Sequence, residues 1–425
     1  MKALSEIIES ARRELPASVF ARWASILFSL SVLSFQVSIA AAQALLAAAV
    51  VVYVIHLLRT GQVPQFLPIK LPLALFATLS VISIFWAENP EIGWFAARKL
   101  VLFLIWPLAV NLVFSAAHLK FLYQALFLES ALTGLVAIGQ FIAQYRVVRA
   151  LHPGQVYFYM TAERVHGLMG HWMNFGGQQM LVFAALLSYL LFSARRRKAW
   201  SLVLILVGTS ITLNFTRGVW LGCLVAAIYL TGRSRPRLLW GLPVLLFAGY
   251  LAAPPLVRHR LEVLRHPSAD PALSIRFEMW QVALQMIRKH PLVGVGPNNI
   301  VQVYILYLPP GMAPERGYRE HMHNNFLQFA AERGLPCLGA WIWLMGALCW
   351  WFVKIRRRLI RSGRPTWIVD AAIAAWLALV AEGFFEFNFG TSPVLMVFLF
   401  ISATPFLLEK FEFVGGSRAD EGEAF

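Results

Sequence analysis

Long apolar stretches alternate with short polar segments along most of this chain. A helix needs about 20 mostly apolar residues to cross the hydrocarbon core of a bilayer. By that criterion the pattern predicts about twelve transmembrane helices, some of them separated by tight connections. The predicted helices span residues 18–35, 40–58, 71–87, 99–115, 119–144, 177–194, 199–215, 217–232, 237–256, 334–353, 369–386 and 392–408.

Two polar segments, 145–176 and 257–333, are much longer than the other connections. Within the second, apolar residues recur at helical spacing until Pro291 ends the pattern. We therefore expect this segment to be folded, partly helical and located on the outer surface of the membrane. The predicted organisation is a first helical region (1–256) that contains the segment 145–176, the large outer segment (257–333), a second helical region (334–408) and a tail (409–425).

The composition supports an all-α, polytopic integral membrane protein. Hydrophobic residues make up 59% of the chain and charged residues 14%, against about 25% charged residues in soluble domains. A net charge of +16 would favour nucleic-acid binding in a soluble protein, but here most basic residues occupy short loops between apolar segments. We therefore predict no nucleic-acid partner. The three cysteines lie in apolar segments without metal-ligand spacing, so no disulfide framework is expected.

Lysine and arginine are distributed asymmetrically over the predicted loops. If the N-terminus is inside, basic clusters such as 195–198 and 354–364 fall on the cytoplasmic side, whereas the short outer loops carry few basic residues. Short cytoplasmic loops of membrane proteins are enriched in lysine and arginine. The asymmetry predicts that both termini are cytoplasmic and that the two long segments lie outside.

Arginines in the outer region are the first candidate site residues. Between 257 and 320, arginine outnumbers lysine seven to one, and the planar guanidinium group matches phosphate oxygens better than an ammonium group does. We predict that some of them, among them Arg265 and Arg276, bind a diphosphate; the alternative is a solvated loop with salt bridges. Arg217 lies at the outer end of a helix between two apolar runs. A charge there usually marks function, and the alternative is an interfacial side chain that snorkels.

His323 is the main candidate for acid–base chemistry. It lies where the polar outer segment meets an apolar helix, and an imidazole that titrates near neutral pH can take a proton from a hydroxyl nucleophile. The alternative is a surface histidine near the lipid headgroups. Its neighbour Asn324 is suited to cap the following helix. His321 and His323 form a His-x-His pair. The sequence places no carboxylate or cysteine at metal-ligand spacing from them, so we predict no metal site.

Three further features are less decisive. Arg164 belongs to a glycine- and histidine-rich segment that either lines a cleft or forms a re-entrant turn. Glu382 and Glu386 fall late in an apolar helix, where acids are costly unless paired; they pair with an arginine of the site or belong to a proton or ion pathway. The pattern Gly294-Val-Gly296 resembles half of a dinucleotide loop, but it lacks the strand–loop–helix context, so we reject that interpretation.

Three short motifs resemble those of the O-antigen ligase family, a group of membrane proteins that also includes O-antigen polymerases and pilin-glycosylating ligases. The most specific of the three contains His323. Cys337 stands near the end of that motif where we expect a glycine, a departure that concerns packing. The motifs are Thr216-Arg217-Gly218 with Trp220, Arg276 to Trp280 followed by 290–296, and His323-Asn324 with Leu327 followed by 332–336.

The resemblance implies a GT-C-like, metal-independent membrane glycosyltransferase of the bacterial inner membrane, with its site facing the periplasm and with no cofactor. The implied donor is a polysaccharide on undecaprenyl diphosphate, and the implied acceptor is a sugar of the lipid A-core. His323 would be the catalytic base of one inverting displacement, and Arg217 and Arg276 would hold the diphosphate. The other predicted substrate-binding residues are Arg265, Arg164, His321, Asn324 and Glu386.

Other functions stay open at this point. An O-antigen polymerase that lengthens the same lipid-linked glycan, or a pilin-glycosylating ligase with a protein acceptor, would share the architecture and the arginines. A transporter of a lipid-linked glycan is the non-enzymatic alternative. A transporter more often places its charges at the midplane, in paired and broken helices, whereas the residues singled out here cluster on the predicted outer side.

Overall fold

The computed structural model describes residues 18–194, 196–262, 271–311 and 320–415. The described residues form α-helices and short 3-10 helices, with no β-strand among them. The α-helices are α1 (Val19–Val32), α2 (Ile39–Thr60), α3 (Lys70–Ile82), α4 (Pro90–Ala97), α5 (Ile105–Leu112), α6 (Ala116–Leu151), α7 (Val156–Ala162), α8 (Trp172–Phe192), α9 (Arg197–Leu213), α10 (Arg217–Ser234), α11 (Leu242–Ala252), α12 (Pro255–Glu262), α13 (Pro271–Lys289), α14 (Ile300–Val303), α15 (Asn325–Arg361), α16 (Trp367–Gly383) and α17 (Ser392–Gly415). The 3-10 helices are Ser83–Trp86, Arg98–Leu104, Pro153–Gln155, Pro236–Gly241, Tyr304–Tyr307 and Asn388–Gly390.

Local sequence signals set many of the helix ends. Ser38 caps α2 by accepting a hydrogen bond from the Ala41 amide at 3.3 Å. Gly61 ends the same helix in the left-handed conformation, with a φ of 66°. Asn89 caps α4, and Pro90 occupies the first helical position, where a missing N–H costs nothing. Such caps satisfy backbone groups that a helix end leaves without an intrahelical partner.

Helices occupy every apolar segment that the sequence pattern singled out, so the predicted all-helical class is confirmed. Some of the predicted spans are occupied by shorter apolar helices. The span 18–35 contains α1, and the span 237–256 contains α11. An all-helical membrane protein fits these findings, and the count of twelve crossings stays a prediction. Among the described residues, the helices long and apolar enough to cross a membrane are Ile39–Thr60, Pro90–Leu112, Ala116–Leu151, Trp172–Phe192 and Asn325–Arg361.

The core of the helical region is centred on α8, α16 and α17, which are the most thoroughly buried helices. Several polar side chains inside it are paired. Ser188 donates to the Trp367 carbonyl at 2.7 Å, and Trp106 Nε1 donates to Ser402 Oγ at 2.9 Å. Pairing of this kind is required because a membrane interior offers no water. By contrast, α11 has no buried residue, as expected for a helix that faces lipid.

The outer segment docks on the first turns of α15 through backbone hydrogen bonds. After α13, the Val295 amide donates to the Ala331 carbonyl at 2.9 Å and the Gly296 amide donates to the Glu332 carbonyl at 2.8 Å. A second anchor is Asn299, whose side chain accepts from a backbone amide of the loop before α4 at 2.7 Å. These bonds fix the part of the outer segment that precedes α15 to that helix and to the loop before α4.

A kink in α15 makes those two carbonyls available. Gly334 leaves the helical conformation, with φ 81° and ψ 167°, and Pro336 lacks the amide that would bond to the Glu332 carbonyl. The Leu335 amide donates instead to the Pro291 carbonyl at 2.8 Å. The kink therefore joins the outer segment to the helix that begins directly after the predicted catalytic motif.

Candidate functional site

His323 lies at the end of the outer segment, and its side chain pairs with Glu386. Nδ1 of His323 lies 2.9 Å from Oε2 and 3.1 Å from Oε1 of this carboxylate. Both side chains are largely buried, with 14% and 6% of their surface exposed. The two residues are 63 positions apart in the chain, so only the fold brings them together.

The loop that carries His323 is held from two helices. His323 has a φ of 46°, a left-handed conformation that few non-glycine residues adopt. The amide of Met322 donates to Gln328 Oε1 at 2.7 Å, and the Met322 carbonyl accepts from Trp280 Nε1 at 3.1 Å. On the other side, Asn324 caps α15 by accepting from two amides of its first turn. Side chains of α13 and α15 thus hold the strained backbone in place.

Two asparagines tie the start of α15 to the segment between α16 and α17. Asn324 Nδ2 donates to the Phe384 carbonyl at 3.0 Å, and Asn325 Nδ2 donates to Asn388 Oδ1 at 2.7 Å. These bonds bring Glu386 next to the loop of His323. The predicted capping role of Asn324 is confirmed, and its side chain is occupied by backbone partners.

Glu386 is ionised in this setting. Burial raises the pKa of its carboxyl group, but the charge and hydrogen bond of His323, with smaller effects of His321 and Arg276, outweigh burial and lower that pKa to about 2. An ionised carboxylate only accepts hydrogen bonds, so Nδ1 of a neutral His323 carries the proton. The other ring nitrogen, Nε2, is then an acceptor that can take a proton from a substrate hydroxyl.

His321 and His171 lie beside this pair. The ring of His321 is edge-on to that of His323, with centroids 4.4 Å apart, and burial lowers the pKa of His321. Burial also lowers the pKa of His171. The charge of Glu386 raises that pKa, and the charge of His323 lowers it. His171 caps α8 by accepting from the Met173 amide at 3.3 Å. At neutral pH, burial favours the uncharged form of both flanking rings.

One ligand atom from each of His321, His323 and Glu386 lies within 4.8 Å of the others. The sequence offers this histidine pair no carboxylate at metal-ligand spacing, but the fold supplies one. Two histidines and a glutamate are a ligand set that catalytic zinc sites use. A test of the function of this site must therefore compare activity with and without a metal chelator.

Four arginines, Arg164, Arg217, Arg260 and Arg276, form a cluster next to these groups, here called the arginine cluster. Arg164 is partly buried, and burial together with the charges of Arg260, Arg276 and Arg217 lowers its pKa to about 9. Like charges this close repel one another, and a multiply charged anion would offset that repulsion. The cluster is therefore suited to bind a group such as a diphosphate.

A turn between α9 and α10 assembles the arginine cluster. Phe215 has a φ of 55°, and its carbonyl accepts from Arg260 Nε at 3.3 Å. Thr216 Oγ1 accepts from a terminal nitrogen of Arg164 at 3.5 Å. Asn214 Nδ2 donates to a backbone carbonyl of the loop before α8 at 2.9 Å, which fixes the turn to that loop. Two of the arginines are thereby held at the N-terminus of α10, whose dipole adds to the attraction for an anion.

The arginine cluster and the His323–Glu386 pair belong to one site. Arg276 lies on α13 four residues before Trp280, so both face the same side of that helix. Trp280 binds the loop of His323 through the Met322 carbonyl, and the charge of Arg276 contributes to the low pKa of Glu386. An anion held by the cluster would therefore lie next to His323.

Most of the residues predicted from the sequence converge on this site. Arg265 lies outside the described residues. Asn324 positions the loop of His323, and its part in substrate binding stays a prediction. The converging residues are His323, His321, Glu386, Arg164, Arg217 and Arg276.

Two other residues of the site, Arg260 and His171, have weaker sequence signals. His171 belongs to the glycine- and histidine-rich segment that was expected to line a cleft or to form a re-entrant turn. Arg260 is one of several arginines in the outer segment with no distinguishing neighbour. The fold distinguishes these arginines from one another. Arg258 donates to a backbone carbonyl of α11 at 2.7 Å. Arg288 is exposed and lies about 18 Å further along α13 than Arg276. Only the tertiary contacts of Arg260 identify it.

Glu382 lies in the core beneath the turn that bears the arginines. It is 1% exposed, and its Oε2 accepts from Asn388 Nδ2 at 3.0 Å. A Cβ atom at Gly218 would lie 3.4 Å from its Cγ, so the start of α10 packs against it. The sequence predicted an arginine partner or a transport pathway for the two acids. In the structure Glu386 is hydrogen-bonded to a histidine and Glu382 to an asparagine.

Residues 202–342, about a third of the 425-residue chain, match a family model described as O-Antigen ligase. The chain carries the domain of the O-antigen ligase family. The family predicted from the three motifs is thereby confirmed. The matched segment contains Arg217, Arg276 and His323, whereas Arg164 and Glu386 lie outside it. A comparison with curated proteins finds no match.

The O-antigen ligase family consists of membrane glycosyltransferase-like enzymes, ligases and polymerases. The match over residues 202–342 therefore supports an enzyme that acts on a lipid-linked glycan at a bilayer. It supports the transporter hypothesis less than it supports glycosyl transfer.

Proposed function

We propose that the protein is an O-antigen ligase that transfers a glycan from undecaprenyl diphosphate to a sugar of the lipid A-core in the periplasm. The observation that carries the proposal is the arginine cluster directly beside the hydrogen-bonded pair of His323 and Glu386. The cluster suits a leaving diphosphate, and the pair suits a hydroxyl that must lose its proton. Glycosyl transfer from a lipid diphosphate to a hydroxyl requires both.

In the proposed step, Nε2 of His323 takes the proton of the acceptor hydroxyl as its oxygen attacks the anomeric carbon of the donor. The new carbon–oxygen bond forms opposite the leaving group. The bond from the anomeric carbon to the diphosphate oxygen breaks, and the lipid diphosphate departs with the electron pair. The arginine cluster stabilises the charge that develops on the diphosphate, and Glu386 stabilises the imidazolium. One displacement inverts the anomeric configuration.

We propose further that the reaction needs no metal ion, because the guanidinium groups supply the positive charge that the leaving diphosphate requires. The close ligand atoms of His321, His323 and Glu386 make this proposal testable. Transfer that persists in EDTA and is not increased by Zn²⁺, Mg²⁺ or Mn²⁺ supports it. Loss of transfer on chelation, restored by one of these ions, would contradict it.

The test of the function is transfer in vitro by purified protein supplied with undecaprenyl-diphosphate-linked glycan and lipid A-core. We expect His323→Ala and Arg217→Ala each to reduce transfer by at least ~100-fold, while the protein inserts and purifies normally. His290→Ala is the matched control, since His290 is an exposed histidine at the far end of α13 that bonds to Tyr307. Wild-type transfer by a correctly inserted His323→Ala variant would refute the mechanism.

Analysis of the products separates the proposed ligase from its relatives. Glycan attached to lipid A-core supports the ligase. Lengthened lipid-bound repeats with unmodified lipid A-core would identify a polymerase, and glycan attached to an added pilin would identify a pilin-glycosylating ligase.

A further inference from the structure

A cleft of about 560 Å³ opens beside the histidines of the site. This volume falls within the ~300–1,000 Å³ of typical small-molecule sites. His321 and His171 line the cleft, whereas none of the four arginines of the arginine cluster does. The cleft therefore reaches the two histidines that flank His323, on a side that is separate from the proposed diphosphate site.

The lining of the cleft suits a ligand rich in hydroxyl groups. Amide and hydroxyl side chains can each donate and accept hydrogen bonds, as adjacent sugar hydroxyls require. Phe387 adds an aromatic wall whose ring centroid lies 6.3 Å from that of His321. Glu320, which is exposed, adds a carboxylate acceptor. The polar lining residues with amide or hydroxyl groups are Asn174, Asn298, Gln302, Gln328, Thr391 and Ser392.

Two of these residues are tied to the start of α15 and the loop before it. The side chain of Gln328 accepts from the Met322 amide at 2.7 Å, one residue before the proposed base. The backbone amide of Asn298 donates to the buried carboxylate of Glu332 at 2.8 Å. The cleft wall and the catalytic loop thus share hydrogen bonds, so a ligand in the cleft has a fixed position relative to the base.

Lys99 gives the cleft a positive charge. Its Nζ donates to the Gly390 carbonyl at 2.7 Å, and a lysine ammonium has three N–H donors, which leaves donors for a ligand. An ammonium group at the wall of a polar cleft is suited to a phosphate or carboxylate group. The expected occupant is therefore a sugar that bears an anionic substituent.

We propose that this cleft is the acceptor subsite: it binds the sugar that receives the glycan, with Lys99 facing an anionic substituent of that acceptor. The inference rests on the proposed function, from which it takes the base and the diphosphate site. In this arrangement the donor enters along the arginine cluster and the acceptor enters through the cleft. The acceptor hydroxyl then meets the anomeric carbon at His323.

The test measures donor and acceptor separately, with the full-length protein in nanodiscs. The probes are lipid A-core, the same acceptor after dephosphorylation or carboxyl reduction, and undecaprenyl-diphosphate-linked glycan. Gln302→Trp fills the cleft from an exposed position on α14, so the fold is expected to persist. We expect KM and Kd for the acceptor to rise ~10-fold or more, with donor values within ~2-fold of wild type. Gln155→Trp, at an exposed glutamine outside the cleft, is the matched control.

Lys99→Met tests the role of the charge. Loss of a charge-assisted hydrogen bond is expected to weaken binding of the intact acceptor ~10-fold or more. Binding of the acceptor stripped of its anionic group should change little, and Lys99→Arg should retain most of the affinity. A purely structural role through Gly390 would weaken binding of both acceptors equally.

Two outcomes overturn the inference: unchanged acceptor binding in Gln302→Trp, or an effect confined to the donor. Acceptor binding is also measured in the His323→Ala background, where no turnover is needed. If binding of lipid A-core depends on the cleft but the wild-type protein shows no transfer, the proposed function is refuted and the subsite is retained. Transfer that is indifferent to both cleft variants would refute the subsite and retain the function.

Discussion

His323 adopts a backbone conformation, φ 46°, that costs a non-glycine residue about 1–3 kcal/mol. The two hydrogen bonds of Met322 and the cap at Asn324 compensate that cost. The sequence predicted the chemistry of His323 from its position at a membrane boundary. It did not predict the carboxylate partner, because the predicted helix extended to 386. In the structure α16 ends at Gly383, and the released Glu386 can turn toward the imidazole.

Glu386→Gln is expected to lower kcat by ~100-fold or more, with little change in donor KM. Glutamine has a similar shape but no charge, so it does not stabilise the imidazolium. Its amide can also donate to Nδ1 and so place the ring proton on Nε2, which removes the base. Transfer kinetics with saturating acceptor provide the measurement. Glu91→Gln, at an exposed acid on α4, is the control, and equal loss in both variants would contradict this role of Glu386.

The same variant has an expected pH signature. The folded pKa of Glu386, about 2, lies below the ~4.3 of an unfolded glutamate. Its contribution to stability is therefore present above the unfolded pKa and is lost as pH falls through the folded value. Thermal midpoints of wild type and Glu386→Gln should differ at neutral pH and converge on acidification. Midpoint curves that stay parallel down to pH 3 would argue against an ionised Glu386.

At the scale of elements, the outer segment and the kink of α15 form one structural unit. The Gly294-Val-Gly296 pattern, rejected as a nucleotide loop, follows the surface of that kink. A Cβ atom at Gly294 would lie 2.3 Å from the Glu332 carbonyl carbon, so only glycine fits there. The sequence pattern shows these glycines but does not indicate what they contact. Their partner lies in a different element, and local patterns carry no signal for such a long-range contact.

Gly294→Ala is expected to destabilise the protein by roughly 2 kcal/mol or more, because it adds a close contact to a left-handed backbone with φ 67°. The outer segment would lose its fit to α15, so transfer should fall together with the thermal midpoint in detergent. Gly346→Ala is the matched control within α15, since no neighbouring atom lies within 4 Å of the added Cβ. That variant should be neutral or slightly stabilised. If the thermal midpoint of Gly294→Ala equals that of the control, the close fit between Gly294 and α15 is contradicted.

At the scale of the whole molecule, the site stands where separate parts of the chain meet. The loop before α8 provides Arg164, α10 provides Arg217, the outer segment provides Arg276 and His323, and the connection after α16 provides Glu386. Hydropathy predicted where the helices lie, because burial in lipid or core leaves a pattern in the sequence itself. The cost of a charge near a membrane marked several of these residues one by one. Their assembly depends on helix packing that the pattern does not encode.

The basic loops predict one orientation for this assembly, with the site in the periplasm and the loop between α8 and α9 in the cytoplasm. The test uses a background in which the three free cysteines are replaced by alanine. Single cysteines are then introduced as Gln302→Cys beside the site and Lys198→Cys in the first turn of α9, next to the basic loop, both exposed positions. A membrane-impermeant maleimide added to spheroplasts should label Gln302→Cys at once and Lys198→Cys only after permeabilisation. The cysteine-free background controls for unspecific labelling. The reverse pattern would put the arginine cluster in the cytoplasm, away from a periplasmic acceptor, and the ligase proposal would fall with it.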